Sequence, residues 1–155
     1  MRNRDLARQK QALDELIAKT RNATGGDVEM QSHWAKYLCV LVAGFLENAL
    51  AELYGDYCRR SASPAVANFA ARSLTRIRNP KTNAFLEVCG AFNKTWAESL
   101  EDFIEDDGRK EAINSIMANR HLIAHGKDSG ITVARVNEYF GKSLTVLEFI
   151  EQQCK

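Results

Sequence analysis

The fold of this chain is decided by residues 34–53, which read WAKYLCVLVAGFLENALAEL. Apolar side chains recur in this stretch at steps of three or four residues, at Trp34, Leu38, Leu41, Phe45, Ala49 and Leu53. Because a helix turns about 100° per residue, these steps keep the side chains in one stripe. From Leu38 to Leu46 every helical face is apolar. The segment, predicted to run from about Met30 to Arg60, is therefore either the central helix or a helix buried on two sides.

Helical patterns flank this segment on both sides. A charged amphipathic stretch before Gly25-Gly26 predicts a peripheral helix over about 4–24. Helix-start and helix-stop signals predict four later segments: Ser63-Pro64 to about Ile77, Asn79-Pro80 towards Ile104 with a break near Gly90, Gly108 to Gly126, and a last one capped by Thr132. Sustained period-two alternation is absent. The sequence thus predicts an all-α fold, one compact bundle of five to seven helices over residues 1–155.

The composition is that of an ordinary globular domain. Of 155 residues, 45% are apolar and 26% charged, and 21 Lys and Arg against 20 Asp and Glu give a formal net charge of +1. These values exclude a disordered chain and a fibre. The longest unbroken apolar run, Leu38 to Leu46, is much shorter than the roughly 18 residues of a membrane span, and the charged start is unlike a signal peptide. We therefore expect a cytoplasmic protein without a membrane partner.

Four cysteines are too widely spaced for a CxxC pair: Cys39, Cys58, Cys89 and Cys154. A chain of this length does not need disulfide staples, and a free thiol in an apolar run behaves as a small hydrophobic group. We predict that all four are reduced and structural, with no metal bound. Nucleotide-binding loops of the GxxxxGK[ST] and GxGxxG types are absent, and no cofactor is predicted.

Charge is unevenly distributed along the chain. Six basic residues and no acid lie between Tyr57 and Leu86: Arg59, Arg60, Arg72, Arg76, Arg78 and Lys81. Residues 98–107 carry six acids and no base. The basic block either holds phosphates or is a solvated face that pairs with the acidic block.

Two of the three histidines lie in residues 119–126, which read NRHLIAHG. His121 and His125 are four positions apart and share a helical face, and Arg120 precedes them. Arginine stays protonated and directs two donors at phosphate oxygens, whereas histidine titrates near neutral pH and moves protons. The negative end of the helix dipole favours a protonated histidine near Gly126. This composition suits phosphodiester chemistry without a metal, with Arg120 and His125 as the catalytic candidates.

Two other interpretations of the motif stay open at this point. In the first, Arg120 pairs with an acid and His125 caps the helix end. In the second, His121 and His125 are two zinc ligands on one helix turn, with His33 or Asp128 as the third. The metalloprotease form of that spacing requires Glu directly after the first His, where this sequence has Leu.

Glu47 is an acid within the apolar part of the predicted central helix. It is either exposed or, if buried, in need of a cation. Arg120 is the cation that we predict for the second case, because a carboxylate would fix the orientation of its guanidinium group.

The motif and its surroundings resemble the HEPN superfamily, the higher-eukaryote and prokaryote nucleotide-binding domains. Arg120-His121-x-x-x-His125 is similar to the Arg-polar-x-x-x-His signature of that superfamily. The helix that starts at Trp34, the sequence NRHLIAHG and the step through Ile131-Thr132 into a last helix resemble a bacterial subfamily associated with ribonuclease-type toxins and defence systems. The resemblance runs from about Trp34 to Phe149.

This resemblance implies a function. HEPN domains commonly dimerise and bring two motifs to one cleft, and catalytic members are metal-independent endoribonucleases in which the RNA 2′-hydroxyl attacks the adjacent phosphate. Carried over, Arg120 holds the scissile phosphate, His125 moves the proton, and His121 supports them. Apart from the resemblance, we predict that Asn119 and Glu47 are also supporting residues. The implied partners are RNA, a second copy and an antitoxin or regulatory protein, and the implied role is that of a toxin or phage-defence effector. Inactive relatives that only dimerise or bind RNA are the alternative.

An enzyme of this kind needs more than two catalytic arginines to retain a polyanion. We therefore predict that part of the basic block lies along the route of the RNA to the motif: Arg72, Arg76, Arg78 and Lys81. Arg72 and Arg76 are predicted to share one helical face. Phe69 and Phe85 are the aromatic residues nearest to these side chains, so base stacking is poorly supported and binding is expected to follow phosphates.

Overall fold

The computed structural model describes residues 1, 3–23 and 25–155. The described residues form seven helices and no strand: α1 (Arg4–Ala23), α2 (Val28–Ser61), α3 (Pro64–Leu74), α4 (Thr82–Phe92), α5 (Lys94–Glu105), α6 (Arg109–Ala124) and α7 (Val133–Gln153). The prediction of an all-α bundle is confirmed, at the upper end of the predicted number of helices. The predicted limit of the first helix, residue 24, lies outside the described residues.

The central helix is α2, which packs against α1, α3, α6 and α7. Because its apolar positions reach most sides of the helix, several neighbours enclose it, and Leu38, Val42 and Leu46 are fully buried. By length and composition α2 could cross a membrane, but 61% of its most apolar stretch is buried inside the fold. The apolar side chains of α2 therefore contribute mainly to the core of the bundle.

The end of α3 differs from the prediction. The helix stops at Leu74, three residues before Ile77, and the chain continues in tight turns in which the Arg76 amide donates to the Ser73 carbonyl at 3.2 Å. Arg76 therefore lies outside the helix. The predicted helical face shared by Arg72 and Arg76 is wrong, although both side chains are exposed.

The boundaries of α4 also differ from the prediction. Asn79 does not cap the helix; it takes a left-handed φ of 49°, and α4 begins three residues later, at Thr82. The break after α4 lies at Asn93 rather than near Gly90. Asn93 has an extended backbone, and its side-chain oxygen accepts from the Trp96 amide, which caps α5.

The helices α2 and α6 run antiparallel, and this arrangement positions the motif. The Cys39 thiol of α2 meets the Ile116 carbonyl of α6 at 3.6 Å. Asp128, in the loop after α6, lies 3.4 Å from Nζ of Lys36, which precedes Cys39 on α2. The C-terminal end of α6 is therefore beside the N-terminal part of α2.

All four cysteines are buried and none forms a disulfide. Burial raises the pKa of the Cys39 thiol to about 12 and that of the Cys154 thiol to about 11. Burial also raises the pKa of Cys58 and that of Cys89. The thiols therefore stay protonated at neutral pH, as expected for a structural role.

We expect the folded protein to resist thiol-directed reagents at neutral pH, because the reactive thiolate does not form and the sulfur atoms are buried. Unfolding should release four reactive thiols per chain. The contribution of the raised thiol pKa values to the free energy of unfolding is fully present below the ordinary thiol pKa of about 8.5. Above that pH the free energy of unfolding falls, because the unfolded chain loses its thiol protons first. Thiol titration and melting curves at increasing pH measure both effects, and rapid labelling of Cys39 in the folded protein would contradict them.

Candidate functional site

The motif occupies the C-terminal end of α6. Asn119, Arg120 and His121 lie near the end of the helix, and His125 is the residue that caps it. The backbone amide of His125 donates to the His121 carbonyl at 3.2 Å. Both histidines therefore sit where the last carbonyl groups of the helix concentrate negative partial charge.

The helix ends here because of Gly126, which takes a left-handed φ of 66°. The reversal lets the Lys127 amide donate to the Leu122 carbonyl at 2.9 Å and the Gly126 amide donate to the Ile123 carbonyl at 3.0 Å. These two bonds are those of a Schellman motif. The predicted glycine stop is confirmed, and it fixes the backbone directly after His125.

Replacing Gly126 with alanine is expected to destabilise the fold by about 1 kcal/mol, because a side chain at a left-handed φ is strained even where space is open. Gly141→Ala in α7 is the matched control. Its added Cβ also meets no atom within 4 Å, but its helical backbone should gain about 0.5–1 kcal/mol. Chemical denaturation measures both, and a stabilising effect at Gly126 would contradict its role.

The side chains of the motif are available to a ligand. His121 and His125 are exposed, and their rings meet edge to face with centroids 4.4 Å apart. Arg120 is partly buried. Within the described residues, none of the three side chains takes part in a hydrogen bond or an ion pair. The interpretation in which Arg120 pairs with an acid therefore finds no support, and its guanidinium donors are open to a ligand.

Asn119 is engaged with its own helix. Its Nδ2 donates to the Ser115 carbonyl at 2.8 Å, one turn earlier. The side-chain amide is thus held along the helix, with its Oδ1 as the remaining polar atom. Its supporting role at the site stays a prediction.

Glu47 pairs with the turn after α3 rather than with Arg120. One carboxylate oxygen accepts from the Asn79 amide at 2.6 Å, and the other lies 3.7 Å from Arg78 Nη1. The side chain is 25% exposed. The predicted partnership with Arg120 is wrong, because the chain reversal after α3 brings a cation and an unpaired backbone amide to Glu47. No hydrogen bond or ion pair joins Glu47 to Arg120 in the part of the chain that the structure describes.

A groove of about 540 Å³ lies beside the motif, between the start of α2 and the loop after α6. Lys36 and Lys127 line it. Lys36 pairs with Asp128, whereas Lys127 has no ion pair with any described residue. Both lysines were missed from sequence because only the packing of α6 against α2 brings them together. Glu29 and Asp128 also line the groove, so the positive charge left without an ion pair beside His125 is that of Lys127.

A family model of RiboL-PSP-HEPN domains matches residues 4–155, nearly the whole chain. The chain belongs to the RiboL-PSP-HEPN family. The HEPN resemblance is thus confirmed, and the match extends it from Trp34 back to the start of α1. HEPN domains include nucleotide-binding and ribonuclease-type domains, and they bind RNA and often dimerise. No curated protein and no solved structure shows significant similarity to the chain.

The zinc interpretation of the motif lacks its third ligand in this HEPN domain. Among the described residues, no group of three or more His, Cys, Asp or Glu side chains could hold a metal ion. His33 lies 3.9 Å from Glu29, and Asp128 is engaged by Lys36. Neither candidate ligand therefore joins His121 and His125.

The basic block of the HEPN domain is divided into paired and unpaired side chains. Arg59 and Arg60 bind acceptors on α2 and at the end of α7. Arg78 contacts Glu47. Three members are exposed and have no ion pair with the described residues: Arg72, Arg76 and Lys81.

The acidic block does not neutralise the basic block. Its ion pairs go to Arg109 and Lys110, which follow it in sequence. Within the described ranges, no ion pair joins residues 98–107 to the basic block. The predicted pairing of the two blocks is wrong, because the acids that form ion pairs do so with Arg109 and Lys110, their neighbours in sequence.

Proposed function

We propose that this chain is a metal-independent endoribonuclease in which Arg120 holds the scissile phosphate and His125 transfers protons. The observation that carries the proposal is that both side chains lie at the open end of α6 with no hydrogen bond or ion pair to the described residues, in a chain of a HEPN family. If the motif were purely structural, its arginine would be expected to donate hydrogen bonds to a protein acceptor.

The chemistry needs only groups that the RNA and the chain supply. The RNA 2′-hydroxyl loses its proton, and its oxygen bonds to the adjacent phosphorus. The bond from phosphorus to the 5′-oxygen breaks, and that oxygen takes a proton, which leaves a 2′,3′-cyclic phosphate and a 5′-hydroxyl. Arg120 stabilises the charge that builds on the phosphate oxygens, and imidazoles move the protons. His121, in ring contact with His125, supports it.

A homodimer completes this site. One copy carries a single His125, whereas a separate base and acid need two imidazoles at the phosphate. The exposed apolar surface of α2 suits a second copy: Tyr37 is 52% exposed, Val40 is 38% exposed, and Gly44 follows one turn later. These three residues, the α2 strip, follow Lys36, which contacts the loop after α6. Packing of two strips across a twofold axis would bring both motifs to one cleft.

The cellular role that we propose is that of a toxin or phage-defence effector in the cytoplasm, controlled by an antitoxin or regulatory protein. It is supported by the resemblance of the helix from Trp34 and of the sequence NRHLIAHG to bacterial ribonuclease-type HEPN domains. A nuclease that follows phosphates rather than sequence would cleave the RNA of its own cell. Such an activity calls for a partner that restrains it.

Incubation of the purified protein with single-stranded RNA in the presence of a chelator tests the proposed reaction. Cleavage with 2′,3′-cyclic phosphate ends is the expected result. The same RNA with 2′-O-methyl groups should stay intact, because it lacks the attacking hydroxyl. RNA binding without cleavage would reject the nuclease and favour a non-catalytic HEPN module.

A further inference from the structure

The outer face of α3 combines exposed apolar side chains with positive charge. α3 packs against α2, and Phe69 on its other side is 75% exposed. Val66, almost one turn earlier, is 57% exposed. One exposed apolar side chain is ordinary on a protein surface. Here two exposed apolar side chains, Val66 and Phe69, lie on one helix, and Arg72 follows three positions after Phe69.

The arginines beside this face have no acid to neutralise them. Arg72 lies three positions after Phe69 on α3, and Arg76 lies in the turn that follows. Neither has an ion pair with a described residue, and no acid occurs between Tyr57 and Leu86. An exposed helix that served only solubility would be expected to carry acids at neighbouring positions. The surplus positive charge points to an anionic ligand.

We propose that Phe69, Arg72 and Arg76 form a platform for single-stranded RNA, the α3 platform. An unstacked base lies on the Phe69 ring, and the arginines contact neighbouring phosphates. The identity of the ligand rests on the proposed ribonuclease function. A duplex keeps its bases stacked on one another, so an aromatic platform selects single strands.

This proposal changes the interpretation of the aromatic residues. The sequence predicts contact with phosphates rather than base stacking, because no aromatic residue apart from Phe69 and Phe85 lies among these arginines. In the structure Phe85 is fully buried in the core, whereas Phe69 is open to solvent. One of the two is thus free to stack, and it is the one that lies nearer to Arg72.

The observations favour RNA over an acidic protein as the occupant. Val66 and Phe69 are the large apolar side chains that α3 exposes. They supply far less than the roughly 1,200 Å² that a specific protein interface buries. A base needs one flat ring and its phosphates need cations, and this face supplies both.

The platform leads towards the motif. The segment after α3 is anchored to Glu47 of α2 through Asn79. Glu47 lies eleven positions after Lys36, about 16 Å along the α2 axis, and Lys36 contacts the loop behind the motif helix. A strand held beside Arg76 would therefore run about 16 Å along α2 to reach the level of the motif.

Fluorescence anisotropy with a labelled single-stranded 2′-O-methyl oligonucleotide tests the platform, because this probe binds without being cleaved. Phe69→Ala should weaken binding roughly tenfold. Phe69→Trp should keep the affinity, and Phe69→Leu should lose it although it keeps an apolar side chain. The double variant Arg72→Glu with Arg76→Glu should make the plot of log affinity against log salt concentration less steep by about 1.4. Arg8→Glu on α1 should leave the steepness nearly unchanged. Unchanged affinity in Phe69→Ala and in the double variant would overturn the proposal and leave this face to a protein partner.

Cleavage of a dinucleotide separates this proposal from the proposed function. A dinucleotide is too short to reach both the platform and the motif, so its cleavage by the unaltered protein reports on the motif alone. Loss of oligonucleotide affinity in Phe69→Ala supports the platform whether or not the dinucleotide is cleaved. Failure of the unaltered protein to cleave any RNA rejects the nuclease alone.

Discussion

Alanine at Arg120 or at His125 is expected to reduce the kcat/KM of RNA cleavage by roughly 10²- to 10⁴-fold. Loss of the guanidinium leaves the charge on the phosphate oxygens without its forked donor, and loss of the imidazole leaves the proton transfers to water. Because both groups act in one transition state, the double variant should be little worse than the more damaging single variant. Initial rates on single-stranded RNA in chelator measure these effects.

The same variants should fold normally. Neither side chain has a hydrogen bond or an ion pair with the described residues, so the free energy of unfolding should change by no more than about 0.5 kcal/mol. Arg8→Ala on α1 is the control for loss of a positive charge at an exposed position away from the motif. Arg120→Lys should recover little activity, because a point charge does not reproduce the fork. Equal cleavage by the unaltered protein and by both alanine variants would exclude the assigned roles.

The helices were predictable because most of their signals are local. Thr132 accepts from the Arg135 amide three residues later, and Gly126 turns the chain directly after α6. The break predicted near Gly90 failed because that glycine lies inside α4, which continues to Phe92. A Cβ at Gly90 would lie 3.6 Å from the Ala97 Cβ, an ordinary van der Waals distance, so the packing of α4 against α5 does not require a glycine there. Sequence alone does not distinguish a glycine that ends a helix from one inside a helix.

The candidate site was predictable only where its residues are neighbours in sequence. The spacing within NRHLIAHG placed Arg120 and both histidines at a helix end. The partner of Glu47 is 32 positions away, and the carbonyl that Arg60 binds is 94 positions away. Such pairs depend on how the helices pack, which no local pattern encodes. The same reason explains why the exposed state of Phe69 emerged only in the structure.

Glutamate at Val40 is expected to separate the proposed homodimer and to abolish cleavage with it. In a dimer formed through the α2 strip, the new carboxylates would be desolvated and would face each other across the twofold axis. An unpaired buried charge costs about 3 kcal/mol or more, so dimerisation should weaken at least roughly 100-fold. Sedimentation at micromolar concentration should then show the 17.4 kDa monomer, and RNA cleavage should fall in proportion to the dimer that remains.

Val28→Glu is the matched control for this substitution, because it makes the same change on the same helix outside the α2 strip. Val28 is 78% exposed and begins α2, where the helix dipole favours an acid. The Val28→Glu variant should therefore stay dimeric and active, whereas the Val40→Glu variant should be helical but monomeric. The contrast between the two separates loss of the interface from a general effect of added charge. Full cleavage by a protein that sediments only as the 17.4 kDa monomer would show that one copy supplies both proton-transfer groups, and His121 would then be the second imidazole.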